Sequence, residues 1–220
     1  MAVSMYVPPF KGVTRVLVIL VAVGALFDAI LKGAGSGGEF GLQALGFAYH
    51  PYQIVTYPWF SYGFFDTLFN ALILWFIGSE LEISWGRKKY IIVTLVTFLV
   101  GGVAYLLIAA IWQTPYDLKG LMGLENAWLI IYAIKFPYQI FSFMLLFPMK
   151  AKYFCYLLLG VQVYLGVFTP GGVQVWGHLA GTAAGVLAGL GFSWIKGIKW
   201  PRRKAHLHLV PQERPPKYWQ

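Results

Sequence analysis

Acidic residues are scarce in this chain. Its 220 residues carry eight Asp and Glu against 17 Lys and Arg, and charged residues of both signs make up only 11%. A soluble domain of this length exposes far more charge than that, so a water-soluble globule is excluded. Cysteine is scarcer still: Cys155 stands alone, inside an apolar run. One thiol closes no intrachain disulfide and supplies no multi-cysteine metal centre. No internal repeat is present either, which sets aside stacked-repeat architectures.

What the chain has in quantity is apolar surface. Hydrophobic residues make up 59%, and the mean hydropathy is +0.65. The 25 glycines and nine tryptophans fit a bilayer protein, because glycine lets helices approach closely and tryptophan favours the membrane interface. The formal charge of +9 sits in short clusters beside apolar runs rather than along a soluble face. Nucleic acid is therefore not an expected partner.

A spanning helix takes about 20 mostly apolar residues. Runs near that length predict helices around residues 13–31, 62–77, 90–112, 121–134, 153–168 and 173–195. A retained first helix, rather than a cleaved signal peptide, follows from the further apolar runs beyond it. The segment from Tyr138 to Met149 is short and flanked by proline, so an interfacial loop is expected there. With six spans, Lys11 and Arg15, Arg87 to Lys89, Lys135 to Lys152, and the group from Lys196 to Lys204 all fall on one side. The positive-inside rule then puts both termini in the cytoplasm. The cell inner membrane is the expected location if the source is bacterial.

Residues 1–200 thus form one membrane domain, followed by a basic, proline-rich tail over 201–220 that is expected to lie near anionic lipid heads. His206 and His208 in that tail are two potential metal ligands without a third. No metal site and no cofactor are expected. The loop after the first helix is glycine-rich, then aromatic at "YHPYQIVTYPWF", a segment expected at the membrane surface.

Polar groups within the apolar runs cost a few kcal/mol at mid-bilayer unless paired or wet, so they mark function. Asp66 and Asn70 share a face at i, i+4 spacing. Glu125 and Asn126 fall in the first turns of the fourth helix. Glu80 and Glu82, beside Arg87 to Lys89, read as an interfacial ion-pair cluster. His178 opens the sixth helix, with Gly181, Gly185 and Gly189 on roughly its own stripe, a surface for close helix packing.

These residues carry a resemblance. "FFDTLFNALILWFIGSELEISWGRKKY" resembles the second helix of rhomboid intramembrane proteases, matching at Asn70, Trp75, Gly78, Leu81, Glu82 and Gly86. "GLMGLENAWLIIYAIKFPYQIFSFMLLFPMKAKYF" is similar to the rhomboid fourth helix and the loop after it, with Phe136-Pro137 and Phe147-Pro148 as landmarks. "WGHLAGTAAGVLAG" is similar to the sixth. The resemblance covers most of Pro51 to Ile195 and implies an all-α membrane protein, a six-transmembrane-helix rhomboid-like bundle.

What it implies about chemistry is different. Rhomboids cleave with a serine and histidine dyad whose serine sits in Gly-x-Ser-Gly; here Gly120 and Gly123 are kept and Met122 takes the serine position. A thioether has no proton to give up and cannot attack a carbonyl. The family's His-x-x-x-Asn oxyanion pair reads Asp66-x-x-x-Asn70, and a carboxylate repels a developing oxyanion. The Trp-Arg pair of the first external loop reads Tyr52-Gln53. His178 survives from the dyad, either as a packing and hydrogen-bonding residue or as an acid or base paired with Glu125. The expected function is that of a rhomboid pseudoprotease. By resemblance, inactive relatives such as derlins bind transmembrane clients or thin the bilayer, so the expected partners are transmembrane segments of other proteins and the bilayer itself. Asp66, Asn70, Gly120, Met122, Gly123, Glu125, Asn126 and His178 would line the client pocket. The competing readings are a divergent intramembrane serine endopeptidase and, further off, a small transporter with Asp66, Glu125 and His178 as a proton path.

Overall fold

The computed structural model describes residues 8–33, 40–45, 48, 50–137, 140–143, 147–168 and 172–195. The tail over 201–220, with His206 and His208, lies outside the described residues, as does the glycine-rich stretch 34–39. The fold is an all-α membrane bundle. Its helices are α1 (Gly12–Gly33), the short α2 (Gln53–Thr56) with a 3-10 turn at Tyr57–Trp59, α3 (Phe64–Ile73), α4 (Ser79–Trp85), α5 (Arg87–Trp112), α6 (Met122–Lys135), α7 (Ala151–Phe168) and α8 (Gly172–Ile195). A π-helical turn at Leu74–Gly78 joins α3 to α4, so helix runs unbroken from Phe64 to Trp85. That continuous helix, α1 and α5 are each long and apolar enough to cross a membrane.

The α1 pattern shows what solvent it faces. Thr14, Leu17, Val21, Gly24 and Asp28 are buried, a single stripe at helical spacing. Arg15 and Lys32 aside, the rest of the helix is apolar and mostly exposed, including Ile19, Val23, Leu26 and Ile30. Water does not tolerate such a surface; lipid does. By contrast α6 is buried from Gly123 to Leu129 and again from Ile131 to Ala133. A helix apolar and covered all round belongs in the interior. Its partners shield it from lipid, which accommodates a helix of only 14 residues.

Among the described residues the most extensive helix contact joins α5 to α8. A Cβ on Gly181 would sit 2.9 Å from the Thr97 carbonyl oxygen and 3.2 Å from the Gly101 Cα, and one on Gly177 would sit 2.7 Å from the Tyr105 Cβ. Further along α8, Gly185 faces Thr97 and Ala127, and Gly189 faces Ile131 and Trp85. The stripe after His178 thus lies against both α5 and α6.

Two elements differ from the expectation. The segment expected as an interfacial loop holds a two-stranded antiparallel hairpin, β1 (Ile140–Phe143) and β2 (Phe147–Lys150), pairing Ile140 with Lys150 and Phe143 with Phe147. Pairing satisfies backbone groups that an irregular segment beside lipid would leave open. Pro148 is tolerated because both strands are edges. Glu82, read as an interfacial ion pair, is only 8% exposed. The expected ion pair with Arg87 is present, Nε to Oε1 at 4.0 Å, but the carboxylate also accepts the backbone N–H groups of Val13 and Thr14 and the Thr14 hydroxyl, each at 2.8 Å. Its carboxylate caps the start of α1 from another helix, where the unpaired N–H groups and the positive end of the dipole favour an anion.

Candidate functional site

The site residues gather where the loop 113–121 enters α6. That loop is strapped down by side chains from several elements. Tyr62 donates its hydroxyl to the Asp117 carbonyl at 2.8 Å and accepts the Lys119 N–H at 3.1 Å. Gln174 of α8 donates to the same Asp117 carbonyl at 2.7 Å, and Tyr105 donates to the Tyr116 carbonyl. Leu42 and Leu118 exchange both backbone hydrogen bonds at 2.9 Å. The buried Lys119 ammonium pairs with Asp117 at 3.0 Å. Gly120 then turns the chain into α6 with φ +92, a left-handed conformation that glycine adopts without a Cβ penalty. Its N–H donates to the Tyr57 carbonyl at 3.0 Å.

Met122 is the first residue of α6 and half-buried. Gly123 packs directly on α8, where a Cβ would lie 2.9 Å from the His178 carbonyl oxygen. Thr182, one turn beyond His178, donates its hydroxyl to the carbonyls of Gly123 at 3.1 Å and His178 at 2.9 Å. The starts of α6 and α8 are thus stitched together on either side of the histidine. His178 itself is buried, with Nε2 3.2 Å from the Lys119 carbonyl oxygen. A carbonyl only accepts, so Nε2 is the nitrogen carrying hydrogen.

Glu125 does not pair with His178. With the amide nitrogen of Asn70 turned toward it, as the surrounding acceptors require, Asn70 donates to Glu125 Oε1 at 3.1 Å and Oε2 at 3.2 Å, and to the Asp66 carbonyl at 3.1 Å. The pair is buried on both sides. Asp66 uses its own carboxylate differently: Oδ2 accepts the Tyr62 N–H at 3.0 Å, closing the start of α3. It also stands near the Gly120 turn, 4.0 Å from where a Gly120 Cβ would be. Asn126 is buried beside Glu125 in sequence.

Six of the eight residues therefore divide into two groups, and Met122 is not among the residues lining the second. Asp66, Asn70 and Glu125 form a polar link between α3 and α6, while Gly120, Gly123 and His178 line a small space with Tyr57, Thr97 and Gly181 that holds about one water. Burial pushes the Tyr57 phenol above its ordinary pKa, so it stays a donor, bonding to the Phe98 carbonyl at 2.7 Å. Of the Tyr52-Gln53 pair, Gln53 is fully buried and accepts the Gln43 N–H at 3.1 Å, while Tyr52 is exposed. Lys119, Asp117 and Tyr62 escape a sequence reading because a lysine and an aspartate in a short loop default to solvent; only the fold shows them buried or bonded. Among the described residues no group of three or more His, Cys, Asp or Glu is placed to hold a metal ion.

A family model described as the Rhomboid domain matches residues 48–195, most of the chain and all of the site. No curated protein matches.

Proposed function

Because the chain belongs to the rhomboid family, we propose that it is a multi-pass pseudoprotease that binds transmembrane segments of other membrane proteins and does not cut them. Met122 carries this reading. It occupies the position between Gly120 and Gly123 from which active relatives attack, and a thioether cannot form an acyl-enzyme. The surroundings agree with it. His178 presents a donor nitrogen to Lys119 rather than an acceptor to a hydroxyl, and the nearby Thr182 hydroxyl is spent on two carbonyls. By the resemblance, Asp66 stands at the position of an oxyanion-stabilising donor, and a carboxylate there would repel a developing oxyanion.

Client capture uses the membrane-facing side of α3. Phe64 and Phe65 are 76% and 71% exposed, next to the polar link of Asp66, Asn70 and Glu125. An apolar segment packs on the two rings, and a polar residue within it gains the half-buried Asp66 as a hydrogen-bonding neighbour that lipid does not offer, Asn70 and Glu125 being buried against each other. In this reading both termini face the cytoplasm.

A fluorophosphonate probe tests the absence of a nucleophile. The purified protein is expected to remain unlabelled; labelling that disappears in His178→Ala would make it a divergent serine endopeptidase instead. A photocrosslinking residue at position 122 tests the client role, and is expected to trap membrane proteins well above the yield from one placed at Leu107 on the outer face of α5. Equal yields would remove client binding from this site.

A further inference from the structure

Three acids are buried among the described residues, Asp28, Glu82 and Glu125. Two of them have a cation within 4.0 Å, Lys32 for Asp28 and Arg87 for Glu82. Glu125 is different. At 5% exposure its carboxyl meets the neutral Asn70 amide, and among the described residues no lysine, arginine or histidine pairs with it.

The elements packed around α6 supply no counter-charge. Lys119 and Asp117, in the loop before it, pair with each other at 3.0 Å. His178 on α8 is turned to the Lys119 carbonyl, and the Tyr57, Tyr62 and Tyr105 hydroxyls bond to carbonyls of Phe98, Asp117 and Tyr116. On α5, Tyr90 meets Thr14, and Lys89 lies by Lys135 at the far end of α6. On α7 the described titratable side chains are Lys152 in its first turn and the exposed Tyr153, Tyr156 and Tyr164. What does face Glu125 is Asp66, close enough to act on it as a like charge. A carboxylate taken out of water without a cation is strongly disfavoured. The start of α6 favours an anion only over its first turn, and by less than that desolvation costs. The neutral acid is therefore the lower state.

We propose that Glu125 holds a proton at neutral pH and that the link of Asp66, Asn70 and Glu125 is a proton-operated latch between α3 and α6. With the proton in place Asn70 joins a neutral acid to α3, a role it fills because an amide offers both donors and an acceptor. When the O–H gives its proton to water, two carboxylates are left around one amide. Their repulsion parts two helices that otherwise touch at few residues. The consequence for clients rests on the function proposed above: a parted seam exposes Asn70 and Glu125 to a segment lying on Phe64 and Phe65.

The test is infrared difference spectroscopy of the full-length protein in detergent, titrated from about pH 5 to about pH 10. A protonated-carboxyl stretching band is expected at neutral pH, lost reversibly as the pH rises and absent from Glu125→Gln. Asp66→Asn removes the like charge and is expected to move that loss to lower pH, by about one pH unit. Spin labels at Phe65→Cys and Met122→Cys, in a Cys155→Ser background, are expected to move apart by about 2 Å over the same range, and to stay in place when Glu125→Gln is added. Absence of a Glu125-dependent band at neutral pH overturns the bound proton. A band that is lost while the labels stay at constant distance overturns the latch. No client takes part in either measurement, so both failures are distinct from a failure of crosslinking at position 122.

Discussion

Asn70 explains why a glutamate sits inside this bundle. From the sequence, Glu125 had two natural fates, a meeting with His178 or a place facing water at a pocket mouth. Neither occurs, because Asn70 lies on the facing helix at the height of Glu125 and can donate to both of its oxygens. The i, i+4 relation of Asp66 and Asn70 was legible; which residue on another helix they would meet was not, since that depends on how α3 and α6 cross. Removing the amide leaves a buried carboxylate short of its donor, a loss of about 1–3 kcal/mol. Asn70→Ala is accordingly expected to lower the thermal midpoint in detergent, and Glu125→Gln, which can still hydrogen-bond to Asn70, to lower it less. Equal midpoints for Asn70→Ala and wild type would show that the pair does not stabilise the bundle. Restoring the missing hydroxyl is a sharper matter. Met122→Ser supplies an oxygen, but Asp66 still opposes an oxyanion near Gly120 and His178 Nε2 still faces the Lys119 carbonyl. The variant is expected to stay unreactive toward a fluorophosphonate probe; labelling comparable to an active serine hydrolase would mean that the residue at 122 alone had silenced the site.

At the scale of the helix, small residues and one carboxylate do most of the joining. The spacing of Gly181, Gly185 and Gly189 after His178 was legible as a packing stripe, but the identity of the neighbours was not. Those neighbours, the Thr97 carbonyl and the Gly101 Cα on α5, leave no room for a side chain at Gly181. Gly181→Val is expected to destabilise the protein by about 1–3 kcal/mol, measured as a loss of thermal midpoint in detergent. Gly191→Ala, with nothing within 4 Å of its added Cβ, is the matched control and should change little. Glu82 carries the same lesson from the opposite direction. Its neighbours in sequence, Arg87 to Lys89, invite an ion-pair reading, which the Arg87 contact at 4.0 Å meets, but its closer partners lie at the start of α1, 68 and 69 positions away. Glu82→Ala leaves Val13 and Thr14 without their acceptor and is expected to cost about 3 kcal/mol. The π-helical turn at Leu74–Gly78 had no sequence signal. It lies where Gly78 faces the Trp128 ring and the Tyr90 hydroxyl, so packing between helices, absent from any local pattern, accompanies the extra residue in the turn.

For the molecule as a whole, membrane residence was legible because it needs only composition and run length, quantities that do not depend on which helix touches which. Orientation is the property that rests on charge alone. Lys11, Arg15, Arg87 and Lys88 sit at the start of α1 or α5, whereas Leu45 belongs to the segment that follows the far end of α1. A cytoplasmic location for the basic end therefore makes opposite predictions for positions 45 and 88, both exposed. In a Cys155→Ser background, Leu45→Cys is expected to react with a membrane-impermeant maleimide on intact cells, and Lys88→Cys only after permeabilisation. The reverse pattern would invert the bundle, placing the Met122 region inside the cell and the starts of α1 and α5 outside. Reaction of both positions before permeabilisation would put them on one side of the bilayer, and α1 and the helix from Phe64 to Trp85 could not then both cross it.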